Sequence, residues 1–416
     1  MPRSLILLLP VLLAGACADA PRPELIGVAV LPADTFVEGP TSGQFIDAAN
    51  GRVPPFENRQ PVQGFSALLA QDDGSFLALS DNGFGSKENS PDYVLTVIRL
   101  DPEFSGLQAG SNTVNWWREF DLSDPNRHIA WPIIADSAFY PGSAIPVDSA
   151  IASHRLLTGA DFDVESFRQV ADGTFYFGDE FGPFLLHTDS EGHLIEPPIQ
   201  LAGVWSPQFP NLGDRVPNAA RSGGFEAMAL SADGRLLYPM LERPVKGDDG
   251  FLRIYAYDLE RGSYAHGSPN EWPYSYRLSP EAGYATEMVA AGDGAYLVIE
   301  RDGGQGPSAK FKRVFRIHLD DVDEDGFLAK TEVLDLLDIS DPGGLGEQES
   351  ESFTFPYETT EALDVVSQSG LDPESGGTHV VVAIVNDNNY PFGQGRFWDA
   401  GEPDPNEMIL VRLWWR

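Results

Sequence analysis

Glu165-Ser-Phe-Arg-Gln-Val-Ala-Asp-Gly-Thr-Phe-Tyr-Phe-Gly-Asp-Glu180 reads as a β-hairpin. Aromatic and β-branched residues flank Asp172-Gly173, a pair that lets a chain reverse tightly. The hairpin opens on a glutamate and closes on Asp179-Glu180, so its acidic groups collect at the end away from the turn. Four further segments follow the same plan: Ser66-Ala-Leu-Leu-Ala70 to Ser80-Asp-Asn82, Glu226-Ala-Met-Ala-Leu230 to Leu241-Glu-Arg243, Glu287-Met-Val-Ala-Ala291 to Ile299-Glu-Arg301, and Glu361-Ala-Leu-Asp-Val365 to Val385-Asn-Asp-Asn388. Ser66, Glu165 and Glu226 each lie eight residues before the glycine of their turn (Gly74, Gly173, Gly234), and Glu287 lies seven before Gly294.

Self-similar hairpins at this spacing, separated by short strand-like runs and Gly, Pro, Asn and Asp punctuation, predict an all-β fold. Steps of 61 residues from Glu165 to Glu226 and from Glu226 to Glu287, then 74 to Glu361, suit the four-stranded blades of a β-propeller. Five blades are counted. The long gap from Ser66 to Glu165 leaves room for a sixth, or for an insertion over residues 124–153, which are rich in Pro, Ala and Ser. Leu25–Leu31 and Met408–Leu413 lack local partners, and pairing the two chain ends in one blade would close the ring and remove exposed edges. Residues 18–416 are read as one propeller domain.

Residues 1–17 read as an export leader: a basic start, an apolar run from Leu5 to Leu13 too short to span a bilayer, then small residues. The chain's only cysteine, Cys17, stands where a lipoprotein is lipidated. The alternative is cleavage after Ala16. Either way the expectation is an exported protein, periplasmic or anchored at the outer membrane. With no cysteine after Cys17, disulfides and thiolate metal sites are excluded from the mature chain. The balance of 27 basic and 63 acidic residues gives a formal net charge of −36, which repels nucleic acid and anionic membranes. Membrane contact is therefore expected only through a lipid anchor, and the chain is read as a monomer acting on a small anionic ester.

Residues equidistant from a hairpin turn are neighbours, roughly 5 Å apart between Cβ atoms. Glu165 with Glu180, Ser66 with Asp81 and Glu226 with Glu242 flank their turns in this way, so each inner hairpin delivers an acidic or polar pair to the channel mouth. Clustered carboxylates repel unless a cation or shared protons compensate, and oxygen ligands at that density suit calcium or magnesium. Glu165, Glu180, Glu226, Glu287 and Glu361 are the candidate ligands or general base, with Asp81, Asp179 and Asp387 completing the metal shell. The plainer reading is that acidic residues end strands, where Asp and Asn favour turns.

Several stretches resemble the esterase-like phytase family, a set of exported bacterial proteins with a repeated Glu- and Asp-rich domain. They are Asp161-Phe-Asp-Val-Glu-Ser166, Gly178-Asp-Glu-Phe-Gly-Pro-Phe184, Gly223-Gly-Phe-Glu-Ala227, Ile299-Glu-Arg-Asp302, Lys312-Arg-Val-Phe-Arg316 and Asn386-Asp-Asn-Asn389. The resemblance runs from about Gly64 to the C-terminus. It implies a propeller related to phytase-like phosphoesterases, with the acidic residues as its active site. This chain departs in having Ser66 where other repeats have Glu, and in the long segment after its first hairpin.

Asp321-Val-Asp323-Glu-Asp325-Gly326 followed by Glu332 matches the spacing of a twelve-residue calcium loop, a second, structural ion site if occupied. Its context is strand rather than helix, so an acidic hairpin turn is the alternative. Arg243, Arg301, Lys310 and Lys312 follow inner strands and are candidate contacts for a phosphate, with pairing to nearby glutamates as the competing role. No nucleophile elbow, usable cysteine, metal-spaced histidine pair or phosphate-cradling loop is present. The reading that emerges is a calcium-type hydrolase of phosphate esters. A carboxylic ester or lactone hydrolase on the same site, and a ligand-binding propeller without activity, stand as alternatives.

Overall fold

The computed structural model describes residues 21–415 other than 107, 249, 266–270, 347–350, 372–377 and 397–400; Cys17 and the leader lie outside the described residues. Strands dominate, and five four-stranded antiparallel blades follow one another along the chain. The first holds Phe65–Ala70, Phe76–Ser80, Thr96–Gly106 and Gln108–Asp121. The second holds Val164–Gln169, Phe175–Asp179, Phe184–Thr188 and Ile199–Gln200. The third is built on Phe225–Leu230, Leu236–Leu241, Phe251–Ile254 and Tyr274–Arg277, and the fourth on Tyr284–Ala290, Ala295–Arg301, Lys312–Val322 and Leu328–Asp335.

The fifth blade is completed across the chain ends. Thr359–Leu371, Thr378–Asp387 and Asn406–Trp415 pair in turn, and Glu24–Leu31 adds the outer strand, running Glu24 against Arg412 through Leu31 against Asn406. An ion pair between Arg412 and Glu24 at 3.0 Å marks the seam.

Five apolar clusters fill the five gaps between adjacent blades. Leu79 and Phe167 share the cluster between the first and second blades, and Tyr176 and Met228 the one between the second and third. Met240 and Val298, Ile299 and Val382, and Ala383 and Ala78 share the clusters at the remaining three. The last of these returns to the first blade, so the ring closes at five and the described residues form no sixth blade. The residues that left room for one are absorbed by the long outer strands Thr96–Gly106 and Gln108–Asp121, and by a connection that holds a short helix, Ser149–His154, capped by Asp148. That connection joins the first two blades through the bridges Val94–Thr158, Ser123–Leu156 and Ser123–His193.

The Asp-Gly turns work as their chemistry dictates. Asp73 and Asp172 each accept the backbone N–H two residues on, at 3.0 Å, while Gly74 and Gly173 take φ of 87° and 88°. Such turns fix hairpin register, and register decides which residues reach the channel. Because the outer strand of the fifth blade is borrowed from the N-terminus, a chain lacking residues 21–31 should leave Asn406–Trp415 as a bare apolar edge. We expect that truncation to lose the cooperative thermal transition or to aggregate. An unchanged melting curve would show that this strand closes nothing.

Candidate functional site

Each inner hairpin carries a β-bulge near the start of its first strand. Register steps from Phe65 to Ala67, Val164 to Ser166, Phe225 to Ala227, Ala285 to Glu287 and Thr360 to Ala362 opposite consecutive partner residues. The residues stepped over are Ser66, Glu165, Glu226, Thr286 and Glu361. A bulge re-aims a side chain, and these five form one layer around the channel mouth. A second layer comes from the residues following Ser80, Asp179, Leu241, Glu300 and Asn386, namely Asp81, Glu180, Glu242, Arg301 and Asp387.

Glu165, Glu180, Glu226, Glu361 and Asp387 therefore lie where the hairpin argument places them, all buried. Asp163, two residues before the second blade's bulge, joins them. The ligand oxygens of Asp163, Glu165 and Glu180 lie within 4.8 Å of one another, and so do those of Glu180, Glu226 and Glu242. Asp163 Oδ2 accepts from Asn82 Nδ2 at 2.7 Å, while Asp163 Oδ1 and Glu180 Oε1 are buried with no hydrogen-bond partner. The close fit extends to the backbone. A Cβ at Gly224 would meet the carbonyl oxygens of Asp179 and Glu180 at 2.7 and 2.5 Å, so glycine is required there.

Burial and mutual repulsion govern the electrostatics. Glu165, Glu180 and Glu226 are all pushed well above the usual carboxylate range, first by burial and then by neighbouring carboxylates: Asp163 for Glu165, and Glu242 for Glu180 and Glu226. Burial followed by Glu361 raises Asp387 to about 7, and burial followed by Asp387 raises Asp81. Asp179 is also raised by burial to about 7, but its oxygens accept the N–H groups of Asp163 and Gly182 at 3.0 and 2.7 Å. It orients Asp163 rather than facing the mouth. Glu361 is fixed through both oxygens, by Arg301 at 2.6 Å and by the Ser66 hydroxyl at 3.3 Å.

Besides Asp179, the structure corrects four sequence expectations. Glu287 is not in the ring: the fourth blade's bulge falls on Thr286, so Glu287 is displaced by one residue and points elsewhere. It accepts from Arg168 at 2.9 Å, and burial raises it to about 8. Lys312 is fully buried and donates to the carbonyls of Asp302 and Glu358, at 2.8 and 3.0 Å, as well as to the Asp302 carboxylate. Lys310 is exposed and donates to the Pro307 carbonyl at 2.6 Å. Neither lysine faces the mouth. Arg301 and Arg243 do: both lie over the Tyr284 ring, at 4.5 and 4.8 Å, and Arg243 pairs with Glu242 at 3.0 Å while remaining partly exposed.

The calcium-loop motif is the fourth correction. Val322 pairs with Leu328 across a tight hairpin, and Asp323 accepts the N–H groups of Asp325 and Phe327, each at 2.9 Å. Asp321 is exposed, Asp325 pairs with Arg277 at 3.2 Å, and Glu332 pairs with Arg313 at 2.8 Å. Glu332 sits four strand residues from the turn, roughly 13 Å along the chain, and cannot reach the ion a loop would wrap. The motif is an acidic hairpin.

Below the ring the channel is bridged. Arg168 of the second blade reaches Glu287 and the Met288 carbonyl of the fourth, both at 2.9 Å. Beneath that bridge lies a cavity of about 280 Å³ touched by every blade, through Leu69, Arg168, Leu230, Val289 and Asp364. The bridge thus separates the acidic ring from that cavity.

Among known proteins, the family model described as "Phytase-like: Esterase-like activity of phytase" matches residues 60–390. An uncharacterized secreted protein of Arthroderma benhamiae is 23% identical over 219 residues, which are 44% of this chain and 41% of that protein. The match thus spans less than half of that relative's length. Its fungal source means that the similarity is not confined to bacteria. Two of the similar solved structures are a luciferin-regenerating enzyme, 10% identical with TM-score 0.37 and 94% of each chain covered, and virginiamycin B lyase from Staphylococcus aureus. The latter is 10% identical with TM-score 0.30, covering 83% of this chain and 93% of that one.

Two outcomes follow from these environments. An aspartate with an ordinary value of 3.8 that is raised to about 7 at Asp179 and Asp387 holds its proton longer in the folded state. Between those limits the folded chain binds more protons than the unfolded one, so stability is full at low pH and is lost as pH rises. Chelator-treated protein should melt at progressively lower temperature from pH 4 to pH 7, and Asp387→Asn should flatten the slope; an unaltered slope in that variant would contradict the assignment. Separately, Arg168→Met strands Glu287 in the channel and should cost about 3–5 kcal/mol in denaturant unfolding, part of which Glu287→Gln should restore.

Proposed function

The chain belongs to the phytase-like family, and we propose that it is a metal-assisted hydrolase of phosphate esters acting at the acidic mouth of the propeller. The observation that carries this reading is the group Asp163, Glu165, Glu180, Glu226 and Glu242, an all-oxygen donor set with buried, unpartnered oxygens at Asp163 and Glu180. That donor chemistry fits a hard divalent cation, calcium above all, and excludes a soft-metal preference. When bound, such an ion neutralises the oxyanion of an ester and lowers the pKa of an attacking water.

The chain's own residues supply the rest. Arg243, partly exposed beside the ring, is placed to take the substrate's phosphate oxygens in a two-pronged contact. Arg301 and Ser66 hold Glu361 in one direction, which makes it the candidate to accept a proton from water. Asp81 and Asp387 add negative potential on the far side of the mouth. The bridge of Arg168 to Glu287 blocks passage through the channel, so substrate enters and leaves by the same side. We further propose that the protein works outside the cytoplasm as a one-domain monomer, held at the outer membrane through Cys17 or free in the periplasm.

The test is turnover of p-nitrophenyl phosphate and p-nitrophenyl butyrate by purified protein with and without EDTA. We expect phosphate release that EDTA abolishes and calcium restores. Arg243→Ala should raise KM for the phosphate ester by roughly 10- to 100-fold, the worth of one charge-assisted hydrogen bond. Full turnover after chelation would overturn the metal's role. Chelator-sensitive hydrolysis of the butyrate alone would shift the substrate class to carboxylic esters.

A further inference from the structure

We propose that Tyr284 is a positioning residue that gives the mouth its preference for phosphate esters, by holding the Arg243 guanidinium ready where an anion can approach. The inference rests on Arg243 being the phosphate contact, as proposed above.

Charge selects the approach. In the ring, the first blade presents Asp81, the second Glu165 and Glu180, the third Glu226 and Glu242, and the fifth Glu361 and Asp387. The fourth presents Thr286 and Arg301 and no carboxylate. An anionic ester is repelled least over that blade, and half-buried Tyr284 opens its inner hairpin. Tyr284 pairs across the hairpin with Arg301, whose guanidinium carbon lies 4.5 Å from the centre of the ring. That contact is the ordinary cross-strand kind. Arg243 is different. It leaves the third blade, where no strand pairing sets it beside Tyr284, yet its guanidinium carbon lies 4.8 Å from the same ring.

The two arginines do different work. Arg301 is buried and bound to Glu361 at 2.6 Å. Arg243 keeps 39% of its side chain exposed, and Glu242 engages its Nε at 3.0 Å. That ion pair leaves the terminal nitrogens of the guanidinium fork for a phosphate. The stem is confined as well: a Cβ on Gly223 would stand 3.2 Å from Arg243 Cβ and 3.3 Å from its Cγ. Gly223 and Glu242 thus restrain the stem and the Nε, and the electron-rich ring of Tyr284 attracts the guanidinium itself. A long exposed side chain gives up rotamer freedom each time it binds a ligand. One already held against a ring has given up that freedom beforehand, so the ligand binds more tightly.

The test pairs kinetics on p-nitrophenyl phosphate with calorimetric titration of phenylphosphonate, an analogue that is not hydrolysed, with calcium present throughout. Tyr284→Leu should raise KM and the phenylphosphonate Kd by roughly 3- to 30-fold, the worth of one cation–π contact, while kcat changes by less than about twofold. Tyr284→Phe keeps the ring and should match the natural protein in all three. In an Arg243→Ala background, Tyr284→Leu should cost nothing more, because the group it positions is gone. Tyr284→Met, of similar volume and without a ring, repeats the comparison if the leucine variant melts early. Unchanged KM and Kd in Tyr284→Leu, an equal loss in Tyr284→Phe, or a loss that persists without Arg243 overturns the positioning role and leaves the hydrolase standing. A weakened Kd in Tyr284→Leu, where the natural protein turns over no ester, retains the positioning role and overturns only the hydrolase. A natural protein that neither binds phenylphosphonate nor turns over the phosphate ester overturns both.

Discussion

Carboxylates buried side by side repel one another strongly, and the architecture of this chain is arranged around tolerating that repulsion. Glu165, Glu180, Glu226, Glu242 and Asp163 are each nearly excluded from water, yet among them only Glu242 pairs directly with a guanidinium, while Arg301 and Arg243 attract Glu226 and Glu180 from farther off. In the absence of a cation the cost is met by holding protons, which is why burial and neighbouring carboxylates push these groups upward together. A divalent ion would release those protons and take their place. The occupant proposed for the site is accordingly one whose charge is positive and whose preferred ligands are hard oxygens.

The propeller makes the crowding possible by repetition. Each blade contributes the same two positions, a bulge near the start of its first strand and the residue leaving its second strand. Five blades packed through five apolar seams then impose a ring on whatever occupies those positions. The chain varies the occupants around that ring: two acids in each of the second, third and fifth blades, serine and aspartate in the first, threonine and arginine in the fourth. The ring is therefore acidic except at the fourth blade, where Arg301 lies against Glu361. A symmetric scaffold thereby presents an asymmetric site, as a reaction with distinct ligand, base and substrate contacts requires.

Much of this was legible in the sequence because hairpin geometry is local. The Asp-Gly turns, the polar hairpin ends and the unpaired terminal strands together give the propeller and its closure. Blade number was harder, since the outer strands Thr96–Gly106 and Gln108–Asp121 are longer than any periodicity shows. Glu287 was misread although the signal was present: it stands seven residues before its turn glycine where Ser66, Glu165 and Glu226 stand eight, and the residue eight before Gly294 is Thr286. A one-residue offset across a bulge turns a side chain from the ring to the channel bridge. Asp163 lies just upstream of its hairpin, so pairing about the turn does not find it, although its alternation with Asp161 and Glu165 would have. Lys312 and the acidic hairpin at Asp323 were illegible for the opposite reason. Their residue types fit phosphate and calcium chemistry, and only the tertiary partners, Asp302 for one and Arg277 and Arg313 for the motif's Asp325 and Glu332, decide otherwise.

The most direct measurement is anomalous diffraction from crystals of the protein grown with manganese, a hard divalent ion whose signal identifies its own position. The account predicts strong peaks at the mouth with Glu180 within bonding distance, flanked by Asp163 and Glu165 on one side and by Glu226 and Glu242 on the other. A mouth without anomalous density, its carboxyl groups paired through shared protons alone, would contradict it.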